Sequence, residues 1–575
     1  MRSSTKKNIL IAGSYTAVLI VGMFLGPKFA TEDRNRTNDT FLPFLTDKSE
    51  KLATILNLIE TKYVDKIETD SLKEIALDEI LTHLDPHSAY LPPVEAKILN
   101  EDLDGNFYGI GIEYYILDDT LNVAAVTAGG PANKAGLRRG DQIIKINNKP
   151  VINVGITGKQ VVSSIRGKQG TFVELLVKTQ ADSAFKNISI ERGKINVSSV
   201  TASYLIDNET GYIKIDKFGS NTSEDFTTAL NLLQKKGVKN LILDLRDNGG
   251  GYLSAAISLA DHFLKDKKLI VFTRGAHEKR TNYWATSEGD FESGHLAVLI
   301  NENTASASEI VAGAVQDLDR GLIIGRRSFG KGLVQEQFDF GDGSALNLTI
   351  ARYYTPSGRL IQKSYKSGNA KYLDEVHQRF TNGEVTSDSS RLADTAFDKK
   401  TVYKTTNGRK VYGGGGIMPD FIIPIDTTGY TKYYDAIYSG GLMNQYVYSS
   451  LVKRIKPLSV EDILSSDYIS EEEMVGFTAF VKSKGITADK NQVALSQQQI
   501  KKDLKALIAR YYFGDAGFYK VHNSDDKAVL KAVQQLSSRQ KYSGTLSEKR
   551  EVIQKQAKKN PVLNNRTGKL KTVEF

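Results

Sequence analysis

The 575-residue chain contains no cysteine, one tryptophan, five methionines, twelve prolines and seven histidines. Without cysteine it can form no disulfide, no thiolate metal site, no cysteine nucleophile and no lipid-modified N-terminal cysteine. Neither a GxSxG elbow nor an HExxH motif occurs, so the commonest serine-hydrolase and zinc-protease signatures are missing too. No segment alternates basic and aromatic residues as a nucleic-acid surface would. The formal charge of +9 is largely local, because the stretch from Lys549 onward carries eight Lys or Arg against two Glu. Such a tail reads as a solvated terminus, and no nucleic-acid partner is expected.

With 40% hydrophobic and 25% charged residues the chain is globular, and its length calls for several domains. The first segment, 1–30, places Arg2, Lys6 and Lys7 before an apolar run from Ile9 to Gly26. At about 1.5 Å per helical residue this run nearly spans a hydrocarbon core of about 30 Å. Basic residues on its leading side orient it with the N-terminus in the cytoplasm. Pro27-Lys28-Phe29-Ala30 is a poor signal-peptidase site, so an inner-membrane anchor is favoured over a cleaved signal sequence. Either reading places the remainder in an extracytoplasmic or periplasmic location.

Beyond the anchor, residues 45–100 carry apolar residues at helical spacing (Leu52, Ile55, Leu56, Ile59; Leu72, Ile75, Ala76, Ile80), and the helices stop near Asp85-Pro86. His87 in LDPHSAYL reads as a packed turn residue. Residues 104–180 change to short strands and glycine turns. Tyr108-Gly109-Ile110-Gly111 followed by Ile112, together with Pro131-Ala-x-x-Ala-Gly-Leu-x-x-Gly-Asp141, resembles a PDZ domain. Successive free N–H groups in such a loop hold a terminal carboxylate, and the strand after it accepts an extended tail. Arg166 lies at the junction between this module and the downstream core and is a candidate for coupling the two.

Residues 195–365 and 400–425 alternate apolar runs with helical stretches, as an α/β layered core does. Leu241, Leu269, His295 and Leu322 begin its buried strands. Residues 366–399 are polar and read as an insertion or mobile loop, and 430–575 as a helical extension.

Two short stretches carry the chemistry. Gly330-Lys331-Gly332 falls short of a phosphate loop, because Gly332 stands where Ser or Thr must hold Mg²⁺ and because LVQEQFDF continues as a strand. Alternation along that strand puts Gln335 on the side of Lys331. Ser306-Ala-Ser-Glu309 matches a capping box opening an apolar helix. A cap alone is one reading. The other makes Ser306 a nucleophile at a strand-to-helix turn, with the Ala307 N–H stabilising an oxyanion. The glycines of Arg246-Asp-Asn-Gly-Gly-Gly251 should emerge at the same sheet edge and offer Gly250 as a second donor. Lysine can act as the base once desolvation lowers its pKa.

Taken together, these blocks resemble the C-terminal processing peptidases, or tail-specific proteases, of serine peptidase family S41. The blocks are YVD…LDPHSAYL, the PDZ module, DLRDNGGG and TASASEI…FGKGLVQ, over roughly residues 45 to 425. The resemblance implies a ClpP/crotonase-like α/β core with an inserted PDZ domain, an N-terminal helical segment and a C-terminal helical extension. It further implies Ser306 as nucleophile, Lys331 as base and Gln335 as its orienting residue, with Ala307 and Gly250 as the oxyanion hole and no metal or cofactor. Its substrates would be exported proteins held by nonpolar C-terminal tails. An adaptor and a homo-oligomer are compatible with the sequence. A catalytically inactive PDZ scaffold is the alternative.

Overall fold

The structure, a computed structural model, describes residues 49–180, 183–387, 397–487 and 489–538. The expected anchor and the basic tail lie outside these residues. Among the described residues no helix is long and apolar enough to cross a membrane.

The chain divides into two units, 1–80 and 81–575. The described part of the first holds helix Ser49–Lys62 and most of helix Thr69–Thr82. Both are amphipathic as their spacing predicts, yet Leu52, Ile55, Leu58 and Ile75 are exposed.

In the second unit the central sheet has six strands lying in sequence order: Val200–Leu205, Thr210–Ile215, Asn240–Asp244, His295–Ile300, Leu322–Gly325 and Phe421–Ile422. The first pair is antiparallel and the others are parallel. Parallel neighbours need crossovers, supplied here by helices Thr222–Gln234, Leu253–Asp261 and Ala307–Asp317. Period-two alternation sends Ile213, Leu243, Val298 and Ile323 into the core beneath these helices. Tyr212, Ile242, Ala297, Leu299 and Ile324 point to the opposite face, where Ala528, Val529, Ala532 and Leu536 of helix Lys527–Ser537 cover them. The helical extension therefore completes the core.

Leu269–Arg274, expected among the buried core strands, belongs instead to a separate antiparallel sheet. It pairs with Thr281–Trp284 and with the long strand Ala345–Tyr354. Leu333–Asp339 and the short Ala89–Leu91 also pair with Ala345–Tyr354. An apolar run of four residues fits either sheet, and only long-range pairing separates them.

The PDZ sheet has the order Ile112–Leu117, Thr120–Val126, Gln142–Ile146, Phe172–Lys178, Phe185–Glu191. Its last strand carries the module past the boundary expected at 180, because Ile188 and Ile190 pack on the PDZ core between polar neighbours. Residues 366–399 also depart from expectation. The described ones, 366–387 and 397–399, include helix Asn369–Thr381, which buries Tyr372 and Arg379, so that part is a packed element. The C-terminal helices form their own core and touch the PDZ module, where Tyr448 stacks on Tyr115 at 4.4 Å and Lys484 pairs with Asp118 at 2.8 Å.

Candidate active site

Ser306 is the residue immediately before helix Ala307–Asp317 and has φ 56° and ψ −116°. A non-glycine residue at positive φ is costly, and such strain concentrates where a side chain must be held out into a site. The turn is held by Glu309, whose Oε2 accepts the Ser306 N–H at 3.0 Å, while the Glu309 N–H bonds to the Ser306 carbonyl at 2.9 Å. Among the described residues the Ala307 N–H donates to no protein group, as the first N–H of a helix commonly does.

The lysine loop is tied to the same carboxylate. Glu309 accepts the N–H groups of Gly330 and Lys331, both at 2.8 Å, and the Ser328 hydroxyl at 2.5 Å. Burial pushes the Glu309 carboxyl up to about 7 against the pull of these donors. Glu309, legible in the sequence only as a capping partner, thus joins the turn carrying Ser306 to the turn carrying Lys331. Tyr353 adds a second tie, its hydroxyl reaching the carbonyls of Ser306 at 3.0 Å and Lys331 at 2.7 Å. Arg379, 1% exposed, holds the approach to the lysine by donating to the carbonyls of Arg327, Ser328 and Phe329.

Ser306, Ala307, Lys331, Gln335 and Gly250 line one cleft of about 480 Å³, whose walls include Leu99, Leu103, Leu253, Ile310 and Leu333. Burial lowers the Lys331 ammonium from its ordinary value, and the charges of Asp85 and Glu309 partly oppose that shift. A lysine with a depressed pKa in the same cleft as a half-buried serine hydroxyl can accept its proton.

Gly250 is where the sequence led and only partly what it promised. At φ 104° it presses against the Ser306 turn, and an added Cβ would lie 2.8 Å from Ser306 Cβ. Its N–H, however, donates to Asn248 Oδ1 at 2.9 Å rather than into the cleft. The cause is local: Asn248 is fully buried and spans its own turn to a residue two positions on.

Gln335 lines the same cleft as Lys331. Its Nε2 donates to Thr349 Oγ1 at 3.0 Å. His87 packs edge-on against Tyr372 and bonds to its hydroxyl at 2.8 Å. Burial depresses the imidazole to about 4, which suits a structural turn residue. The Asp85–Thr349 pair behind Gln335 has no sequence signature. An aspartate with serine three residues later signals a side-chain-capped turn, but nothing local says which strand the turn lies against.

The PDZ loop residues divide. Tyr108 and Gly109 sit in a strand paired with Gly193–Asn196, Ile110 is buried in the PDZ core, and Gly111 and Ile112 lead into the edge strand Ile112–Leu117. Facing that strand, the helix Gly158–Ile165 begins at a Thr157–Gln160 capping box, and the Tyr114 hydroxyl donates to the Gly158 carbonyl at 3.1 Å. At the helix end, Arg166 bonds to Glu101 at 3.0 Å. Glu101 lies on helix Pro93–Leu103, which supplies Leu99 and Leu103 to the cleft that Ser306 and Lys331 line.

Comparison with known proteins bears on this arrangement. Residues 209–368 match the family model "Peptidase family S41", residues 123–179 match a PDZ domain, and residues 433–514 match a family of unknown function. A probable CtpA-like serine protease of Staphylococcus aureus (strain N315) is 33% identical over 348 residues, 60% of this chain and 68% of the relative. The chain belongs to peptidase family S41. A CtpA-like serine protease of Staphylococcus haemolyticus is 35% identical to this S41 peptidase over 314 residues, 54% of the chain and 62% of the relative. Among solved structures, the photosystem II D1 C-terminal processing protease is 26% identical to it, covering 67% of the chain and 95% of that protein, with a TM-score of 0.32. By its family and its relatives the peptidase is a serine protease of the CtpA-like type with a PDZ domain.

Proposed function

We propose that this peptidase is an exported endopeptidase with a Ser306–Lys331 dyad that recognises substrates by their nonpolar C-terminal tails. The observation that carries the reading is the joining of the two turns: Ser306, held at positive φ, and Lys331, desolvated, are fixed by one buried carboxylate at one cleft. Lys331 Nζ takes the Ser306 Oγ proton as Oγ attacks the peptide carbonyl, and a tetrahedral oxyanion forms. The Ala307 N–H donates to that oxyanion at the positive end of its helix. Gly250 supplies the second N–H once it turns from Asn248, a movement its glycine backbone tolerates. The C–N bond then breaks, the leaving amine takes the proton from Lys331, and water hydrolyses the acyl-enzyme with the lysine again as base. Gln335 orients the lysine amine.

The tail of the substrate is proposed to add as a strand beside Ile112–Leu117, its carboxylate at the N–H groups around Gly111. The run from Ile9 to Gly26 tethers the peptidase to the inner membrane with its body outside the cytoplasm. The test uses residues 31–575 as wild type, Ser306→Ala and Lys331→Ala, offered a folded protein with an apolar tail. Cleavage by the wild type alone supports the dyad. Equal degradation by all three overturns it.

A further inference from the structure

The turn from Leu84 to Leu91 enters the protease core from far away in sequence and brings a buried carboxylate behind Gln335. Asp85 is 6% exposed. Its Oδ1 accepts the N–H groups of His87 at 2.8 Å and Ser88 at 2.9 Å and the Thr349 hydroxyl at 3.1 Å, while Oδ2 accepts the Ser88 hydroxyl at 2.7 Å. All four surrounding groups are donors, so both Asp85 oxygens act only as acceptors. The Thr349 N–H donates to Ser88 Oγ at 3.1 Å, which fixes the turn against the strand. Thr349 is in turn the direct cross-strand partner of Gln335.

This arrangement has a direction. The single hydroxyl hydrogen of Thr349 is committed to Asp85, so its oxygen can only accept from Gln335. Only the NH₂ end of a primary amide can meet an acceptor, and the amide is thereby oriented with Nε2 toward Thr349. The carbonyl oxygen Oε1 is left without that partner, on a residue that lines one cleft with Lys331. Were the hydroxyl free to rotate, it could donate to Oε1 instead, and the amide could turn its NH₂ toward the lysine. A donor there would oppose an ammonium, whereas a carbonyl oxygen steadies the lysine in both protonation states.

We infer that Asp85, acting through Thr349, is a positioning residue that sets the orientation of the Gln335 amide and so presents an acceptor to Lys331. The inference rests on the dyad reading. The charged and titratable groups around Lys331 are Asp85 and His87 from the turn at 84–91, Glu309 from helix Ala307–Asp317 and Tyr353 from strand Ala345–Tyr354. The charge of Asp85 favours the ammonium, so its removal has a sign that packing alone does not predict.

The experiment compares wild type with Thr349→Val, Thr349→Ser, Asp85→Asn, Gln335→Ala, Lys331→Ala and the Thr349→Val/Gln335→Ala double variant. The readouts are kcat, KM and the pH profile of kcat/KM on the tail-bearing protein, with thermal melts of each variant. Thr349→Val and Gln335→Ala should each lower kcat about tenfold with KM nearly unchanged. Their double variant should be no worse than Gln335→Ala alone, and Thr349→Ser should restore the wild-type rate. Asp85→Asn should lower kcat and move the acidic limb of the profile to lower pH. Wild-type kcat in folded Thr349→Val or Asp85→Asn beside an impaired Gln335→Ala overturns the relay while leaving the dyad standing. Wild-type kcat in Gln335→Ala overturns the relay together with the role of Gln335. Activity in Lys331→Ala marks failure of the dyad itself and removes the basis of the relay.

Discussion

Ser306 and Lys331 present their backbone N–H groups to the same oxygen of Glu309, at 3.0 Å and 2.8 Å. The proposed nucleophile and base stand on different turns, and one carboxylate sets the register between them. Glutamine cannot replace it, because its NH₂ would face N–H donors. A Glu309→Gln variant should lose about 1–3 kcal/mol of stability and, with the turns displaced, most of its kcat.

The same residue imposes a pH dependence on stability. The folded state holds the Glu309 proton up to about pH 7, whereas the unfolded chain releases it near 4.5. The folded state binds more protons in that window, so stability falls as pH rises through it, by about 3 kcal/mol, and levels off above. Denaturant melts at several pH values should show this decline in the wild type and its loss in Glu309→Gln. Parallel curves for the two proteins contradict the assignment.

Activity should run the other way. Lys331 acts as base only when neutral, so kcat/KM rises with pH as it loses its proton, with a midpoint below the ordinary lysine value of 10.5. Lys331→Arg stays charged and should be inactive at every accessible pH. A profile flat through the range, with the lysine variant active, would show that another group is the base.

Gly250→Ala tests the wall of the site. Its Cβ would meet Ser306 Cβ at 2.8 Å and the Ala305 carbonyl oxygen at 2.9 Å, at a φ of 104° that alanine rarely adopts. A loss of about a hundredfold or more in kcat is expected. Labelling of Ser306 by a serine-directed fluorophosphonate should fall with it.

Arg379 provides a test remote from the reacting atoms. Its guanidinium donates to three successive carbonyls, those of Arg327, Ser328 and Phe329, and pairs with Glu375 at 2.9 Å. Arg379→Met should cost about 3–5 kcal/mol, measured by chemical denaturation, and should lower kcat more than it raises KM, because what it releases is the approach to Lys331.

The residues that chemistry requires to be near one another in sequence are the legible ones. Ser306 and Glu309 form a capping pattern within one turn, and Lys331 stands just before a strand whose texture is plain in the sequence. The central strands announce themselves as apolar runs, and the helical extension by its spacing. What sequence cannot supply is pairing across distance. Asp85 and Thr349 are 264 positions apart, and neither segment carries a mark of the other. Leu269–Arg274 is legible as a strand but not as a member of its own sheet, for the same reason. The helix at Asn369–Thr381 escapes because its mean character is polar, and its buried face depends on Tyr372 and Arg379 rather than on aliphatic residues. Gly250 shows the limit at a finer scale: a glycine can be located from sequence, but its N–H is directed here by the side chain of Asn248.

The helix Lys527–Ser537 closes the second face of the central sheet with residues from near the end of the described chain. A polypeptide emerging from its N-terminus presents Ser306, Lys331 and every strand of that sheet before the lid of its core exists. Tyr212, Ile242, Ala297, Leu299 and Ile324 then face water until Ala528, Val529, Ala532 and Leu536 arrive. The burial that steadies the strands beneath the cleft is the last to be gained. Synthesis order therefore leaves this face of the sheet uncovered until residues 527–537 have been made.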